Sequence, residues 1–594
     1  MKKSLLKQAS LALVVTSVLT GQALAGDLAD RVLTSGTIET MNPNQPVAEA
    51  VAMKDGRIVY VGSNKGAKQF IDDADDVIDL KGKYVTPGFL ETHNHVVGST
   101  WMTQGVDLSQ AKSPEEIAQT LKEYADAHPD AKIIVGNGWI PAALTRLPTA
   151  ADLDAIGINV PIIAIGNSCH DAVFNSLGLK LAGITEETPD IQPGIIYWAK
   201  DANGKKTGLA IEGQWAQAYV DLGAWQPETM IPEASDYLQG YLSTQGVTTT
   251  QVAGIMSPEA IISPEAVLNS FENTVMPILN ERVENGKAPM RLSVMPIFKM
   301  IDADPKEYVD LVVKMGEKYN SDMLWTDTIK LHPELAWIDG GSTQFVPYVN
   351  TQPGEQANFG EYGIPPHIMY NLHATANAQG IKIITHSTGA RGLRRLVDIF
   401  LELEELYPDS RNRLDHVDFI TKYDQERIIK HDIPMNVTPA FTLDSDSGEA
   451  MFDTVDREYA KEVFGAYSDM AYEYKNISLS GDSPGFPIER AYPVYLMQQV
   501  LTLTDPNNKD SKHFPEWRKT MTYDQALYSY TVAPAWQLKK ENDLGSIEVG
   551  KYADMAIFKN NLREVAENEP HNLIEKGTVV GTLLGGEFTH RKGM

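Results

Sequence analysis

The sequence predicts an α/β fold: a (β/α)8 TIM barrel with a large insertion after the first barrel strand, plus a small β-sandwich formed from the N- and C-terminal segments. Three observations carry this. Apolar β-type runs alternate with helical stretches through the middle of the chain, β-rich segments return at both ends, and an apolar strand near the front closes on two histidines. With 594 residues, 43% of them hydrophobic, the chain is long enough for one large domain with additions.

Residues 1–25 read as a cleaved signal peptide. Lys2, Lys3 and Lys7 precede the apolar run Leu11 to Leu19, and Ala23-Leu24-Ala25 is a small-x-small cleavage pattern. The run is roughly half of the ~20 residues that a membrane span needs, and no later segment approaches that length, so no stable membrane insertion is expected after cleavage. A periplasmic or secreted destination follows. Cys169 is the single cysteine, which excludes an internal disulfide. The formal net charge is −28, and loss of the three signal lysines makes it more negative. Such a surface repels nucleic acid and anionic membranes. The expected partner is a small-molecule substrate; a homodimer stays open.

Residues 26–85 contain short β-runs, Arg57 to Val61, Val77 to Leu80 and Tyr84-Val85, separated by the turn pairs Asp55-Gly56 and Gly62-Ser63. They form the N-terminal part of the sandwich. Residues 541–594 form its C-terminal part, with Ala553 to Phe558 and Gly577 to Gly581 as β-runs and Gly585-Gly586 as a turn. Residues 86–540 form the barrel. Thr328 to Leu331, a helix from His367 to Gln379, and Ile381 to His386 repeat strand then helix, which implies parallel strands. Gly246 to Thr250 reads as a further barrel strand, yet it follows His95 by far more than the ~30 residues of one strand-helix unit. An insertion at about 100–235 fills the gap, with a helix from Ser113 to Ala127 and an apolar run from Val160 to Ile165.

The chemistry starts at Val85 to His95, an apolar strand ending in His93-Asn94-His95. On a strand, residues i and i+2 face one side, so both imidazoles can reach one metal ion at the strand's C-terminal end. His386 closes the apolar run Ile381 to Thr385, and His416 follows Arg413-Leu414-Asp415. Asp482 sits where Leu479-Ser480 gives way to a Gly/Pro loop, a place that suits a carboxylate ligand or general base. His332 and Cys169 read as structural. No Gly-x-Ser-x-Gly elbow and no phosphate loop occur, which argues against a serine hydrolase or nucleotide enzyme.

Two histidines, a lysine on a strand, two further single histidines and an aspartate, in this order, resemble the amidohydrolase superfamily. The branch is the YtcJ-like group that includes N-substituted formamide deformylases. Gly136-Asn137-Gly138-Trp139, His170 with Asn175-Ser176, Gly246 to Thr249, Asp339-Gly340-Gly341 and Gly545 to Asp554 support it. The resemblance implies a metal-dependent hydrolase of a non-peptide carbon–nitrogen bond that works through a metal-activated water. It implies that His93, His95 and Asp482 hold one divalent ion, and that His386 and His416 hold a second. A carboxylated Lys330 would bridge the two. Asp482 is also the catalytic acid and base, while Trp139 and His170 are weaker, substrate-binding candidates. Histidine and carboxylate ligands without thiolate suit zinc first, or manganese or iron, at one or two ions per chain. The alternatives are a deaminase of the same superfamily and a catalytically inactive periplasmic binding or regulatory protein. The chain departs from the pattern twice. A long stretch, Leu331 to Ile338, separates Lys330 from Asp339-Gly340-Gly341, and Ala390 stands where an aspartate is usual.

Overall fold

The computed structural model describes residues 28–594 apart from 73, 98–99, 104, 167–170, 192–195, 336, 338–339, 350–355, 444–450, 453, 486–487 and 509. The expected signal peptide lies outside the described residues, as do Cys169 and His170. No helix among the described residues is long and apolar enough to cross a membrane.

The fold is α/β. One parallel sheet runs in the order Leu324–Trp325, Arg291–Val294, Val247–Val252, Phe89–Asn94. A second runs Ile297–Phe298, Thr328–Leu331, Lys382–Ser387, Arg413–His416, Met435–Val437, Ile477–Leu479. Their outer edges meet where Asp482 N donates to His93 O at 3.0 Å and His95 N to Ser483 O at 2.7 Å. The strands are buried and the helices between them, such as Pro366–Ala378 and Ala390–Glu404, turn their apolar faces inward. This is the usual arrangement of parallel sheets, because the crossover helices cover their faces.

The strand predicted from Val85 to His95 is two strands. Tyr84–Pro87 belongs to a separate six-stranded sheet, and Phe89–Asn94 to the parallel sheet. Gly88 is the joint: a Cβ there would fall 2.2 Å from Thr248 Oγ1, so glycine leaves room for the Thr248 side chain against the strand. In the six-stranded sheet Tyr84–Pro87 pairs antiparallel with Met555–Phe558, which brings the two ends of the chain together. A four-stranded sheet built from Arg31–Thr34, Ala50–Lys54, Arg57–Gly62 and Asp76–Asp79 shares one apolar cluster with it, through Leu33, Val51, Ile78, Val85, Ile557 and Leu583. Asp55-Gly56 and Gly585-Gly586, all with positive φ, close two-residue hairpins.

Between His95 and Val247 the chain builds another six-stranded sheet, whose members run from Val106 to Ile211. Strand Ile162–Gly166 shows why it stays attached. Ile163 and Ile165 face the main core, whereas Ile162 and Ala164 face a second cluster with helix Pro114–Ala127. The separate core ends at Ile211; Trp215, Tyr219 and Ile231 pack into the main one.

A buried ion pair joins the terminal sheet to the parallel strands. Arg291 donates through Nε and Nη2 to the two oxygens of Asp554 at 2.7 and 2.9 Å, and Gly585 N donates to Asp554 at 2.7 Å. Asp554→Ala leaves the buried guanidinium unpaired and is expected to lower unfolding stability by about 3–5 kcal/mol, read from urea denaturation. A loss under ~1 kcal/mol would show that the pair does not clamp the two units.

Candidate metal centre

His93 and His95 project from one side of the strand Phe89–Asn94 and its first following residue. His93 Nδ1 lies 2.7 Å from Asp415 Oδ2, and His95 Nδ1 lies 3.3 Å from the Gly254 carbonyl. Both partners are acceptors, so each ring directs an Nδ1–H at its partner and leaves Nε2 for a ligand. The two Nε2 atoms face a single atom, Asp482 Oδ1, at 3.5 and 3.2 Å. Acceptors converging at these distances repel one another unless a cation lies between them. Burial, aided by Lys330 and neighbouring cationic groups, holds the His93 pKa well below its ordinary value, so its ring is neutral.

His416 joins the same cluster. Its ring centroid is 4.5 Å from that of His93, and ligand atoms of His93, His416 and Asp482 all lie within 4.8 Å of one another. His416 therefore lies close to His93 and Asp482 as well as to His386. His386 stands on the far side of His416 at 4.7 Å between centroids. Burial pushes the pKa of both rings well down. His416 takes φ 75°, Val417 φ 54° and Asp482 φ 51°. Left-handed backbone is uncommon for such residues and strained for valine, and it occurs here at the strand ends that carry the cluster.

Lys330 lies on Thr328–Leu331 and is buried. Its Nζ is 3.7 Å from Asp415 Oδ2, and burial lowers its pKa to about 8. Lys330 Nζ, His386 Nε2 and Asp482 Oδ1 are all buried without a hydrogen bond among the described residues. The ligand atoms of His93, His416 and Asp482 close to one another, with orphaned imidazole, carboxylate and amine atoms among their neighbours, fit a divalent metal ion.

Asp415, which the sequence reading treated only as strand context, is the hub. Arg413, two residues earlier and so on the same strand face, donates to it at 2.6 and 3.1 Å, and donates to Thr92 O at 2.9 Å. The available signal was the Arg-x-Asp spacing in an apolar strand, since buried charges need partners. Glu91 was missed as well. It accepts from Gly481 N at 3.2 Å beneath Asp482, and burial raises its pKa well above the carboxylate range.

The two departures from the family pattern meet. Glu334, in the long stretch after Lys330, accepts from Thr388 N and Gly389 N at 3.1 and 2.9 Å, at the N-terminus of helix Ala390–Glu404. It also accepts from Thr343 N and Oγ1 at 2.8 and 2.7 Å. An acceptor at a helix N-terminus is the role that an aspartate at 390 would fill locally. His332, expected to be structural, stacks on His386 at 4.3 Å between centroids. Trp139, expected at the substrate, instead lies in the core of the inserted sheet with its indole N–H on Ala164 O at 3.0 Å. Its size and apolarity suit that core, which is why it is not at the metal cluster.

Parallel strands whose C-terminal ends present convergent imidazoles and a carboxylate define a metal-dependent hydrolase. The chain belongs to the amidohydrolase family, whose model matches residues 76–590. It is similar to the exoenzymes regulatory protein AepA of Pectobacterium carotovorum subsp. carotovorum, 28% identical over 67% of this chain and 82% of the relative. It is 24% identical to the N-substituted formamide deformylase of Arthrobacter pascens, over 94% of this chain and 99% of that protein. Among solved structures, an uncharacterized metal-dependent hydrolase from Pyrococcus horikoshii OT3 superimposes with a TM-score of 0.70 at 21% identity, covering 91% of this chain and 99% of the other.

Asp415→Asn keeps the shape of the hub but loses one acceptor for the His93 N–H. The expected result is a 10- to 100-fold weaker affinity for zinc, on the order seen when an outer partner of a ligand histidine is removed, measured by chelator competition. Unchanged affinity would remove Asp415 from the support of the metal centre.

Proposed function

We propose that the protein hydrolyses the amide bond of a small N-acyl or N-formyl compound at the mouth of a (β/α)8 barrel, the two parallel sheets being its two arcs. The terminal sheets form a β-sandwich beside it, and residues of about 100–235 are an insertion that shapes the substrate opening. The observation that carries the reading is the convergence of the His93 and His95 lone pairs on Asp482 Oδ1 at 3.5 and 3.2 Å. The likeness to N-substituted formamide deformylase over nearly its full length favours an amide as the bond cleaved.

In this reading His93, His95, His386, His416 and Asp482 hold one or two divalent ions, zinc first. Lys330, a buried amine 3.7 Å from Asp415 and without a hydrogen bond among the described residues, would join the ligands if carboxylated. A bound divalent ion supplies an activated water and polarises the scissile carbonyl. Asp482 accepts the water's proton and returns it to the leaving nitrogen; its left-handed backbone and the Gly481 N–H on Glu91 fix where it stands. Burial keeps the imidazoles of His93, His386 and His416 neutral, which leaves the carboxylate as the base. The protein acts in the periplasm or the medium after loss of residues 1–25.

Elemental analysis of the purified protein, with turnover of a panel of N-formyl and N-acyl amides, tests this. One or two transition-metal ions per chain are expected, two if Lys330 bridges. Asp482→Asn is expected to lower kcat by about 100- to 10,000-fold while the melting temperature is kept. Near wild-type turnover in that variant, or no metal even after reconstitution with zinc or manganese, overturns the reading.

A further inference from the structure

Lys299 directly follows the strand Ile297–Phe298, and no step above uses it. In the register of that strand with Thr328–Leu331, Ile297 lies opposite Lys330, and His332 N donates to Phe298 O at 2.9 Å. A Cβ on Gly254 would meet the Cβ atoms of both Ile297 and Lys330, at 3.0 and 3.1 Å, so these two side chains leave the sheet on one side. Residues two apart on a strand share a face, which puts Lys299 and His332 on that side as well, one step nearer the C-terminal ends. The Lys299 charge accordingly bears on the rings of His332 and His386.

Solvent reaches the cluster at His95 and Asp482, whose side chains are 12% and 11% exposed, whereas those of His93, Lys330 and Asp415 are at most 1% exposed. Lys299 and His332 are partly exposed too, although each is enclosed enough for burial to lower its pKa. Side chains that lie deep in a protein and still meet solvent line a recess, and this one opens beside His386, on which His332 stacks. The inserted sheet contributes Glu212, just past its strand Lys206–Ile211, with φ 54° and its N–H on Asp171 Oδ1 at 3.4 Å. Glu212 is the one charged group among the described residues that bears on Lys299, and no hydrogen bond or ion pair holds the amine.

An enclosed ammonium without a bonded partner lowers stability, and an anion that reaches it is held by a charge-assisted hydrogen bond. The net charge of −28 repels anions from the surface as a whole, so an anionic substrate needs a cation placed inside the opening. We propose that Lys299 determines specificity at this site: its amine receives a carboxylate carried by the substrate, in the recess beside the metal cluster. Glu212 competes for the same amine, and a substrate without an anionic group leaves Lys299 unpaired. For the reaction this rests on the proposed hydrolysis, which it narrows to N-acyl or N-formyl compounds bearing a carboxylate. The binding stands without it.

Titration calorimetry with phenylacetate and with phenylacetone, the neutral ketone of the same shape, tests the binding, since neither has a carbon–nitrogen bond to cleave. The metal-loaded wild type is expected to bind phenylacetate about 10-fold tighter or more. In Lys299→Met, which keeps the length of the side chain and removes the amine, the two affinities are expected to become nearly equal. A carboxylate held by the metal instead of by Lys299 keeps its advantage in that variant, and this result, like equal affinities in the wild type, overturns the proposal. If Lys299→Met does not fold, Glu212→Gln decides: loss of the competing carboxylate is expected to strengthen phenylacetate binding and leave the ketone unchanged, and no change for either overturns the proposal. A protein that cleaves no amide yet shows the Lys299-dependent preference keeps this inference and ends the proposed reaction.

Discussion

The Asp415 carboxylate is the constraint on which the site depends. It lies fully inside the protein between Arg413, the His93 Nδ1–H and Lys330, and it settles three things at once. It neutralises a guanidinium that could not otherwise be buried. It fixes the tautomer of His93, so that a lone pair points at Asp482. It also gives the Lys330 amine a charged neighbour at 3.7 Å without a hydrogen bond. That leaves the amine restrained in place and free to react.

That hub works only if the strand ends bearing it hold their relative positions. Asp415 is on Arg413–His416, His93 on Phe89–Asn94 and Lys330 on Thr328–Leu331, so the contacts span the molecule between the two parallel sheets. The edges are sewn together by backbone hydrogen bonds between residues 93–95 and 482–483, next to the ligands themselves. The terminal sheet braces the opposite ends of the strands. Gly88 allows the chain to pass from one sheet directly into the other, and Asp554 holds Arg291 at the base of its strand. The Tyr-Ala-Asp run near the C-terminus therefore has a mechanical reason: its aspartate is a buried anchor, and Tyr552 stacks on the same guanidinium at 3.7 Å.

How much of this was legible depended on whether the signal was local. The His-x-His strand end, the strand-helix alternation and the two glycine hairpins are short-range patterns fixed by backbone geometry, and they can be read from a few residues each. The union of His93, His416 and Asp482 could be ordered along the sequence only by resemblance, since their contact depends on left-handed turns at His416 and Asp482 that a strand pattern cannot show. Asp415 was hidden because alternation sends consecutive residues to opposite faces, which makes the neighbour of a ligand histidine look irrelevant. A tryptophan beside glycines suits a binding loop and a small core alike, and Trp139 lies in the core. The lengthened stretch after Lys330 and the missing aspartate at 390 looked like two independent irregularities. Glu334 makes them one compensated change, visible only when the helix N-terminus and the carboxylate are seen together.

The distribution of unsatisfied groups ties stability to chemistry. Several buried charges are paired: Arg291 has Asp554, Arg413 has Asp415, and Asp424 has Arg394. Lys330 Nζ, His386 Nε2 and Asp482 Oδ1, at the strand ends that carry the site, are buried without a hydrogen bond among the described residues. A chain selected for stability alone replaces such groups with apolar ones, since a buried ionisable group without partners lowers stability by more than any packing it makes. At the metal cluster such groups stand in front of a hydrogen-bonded layer of Asp415, Arg413 and Glu334, where a bound ion can complete them.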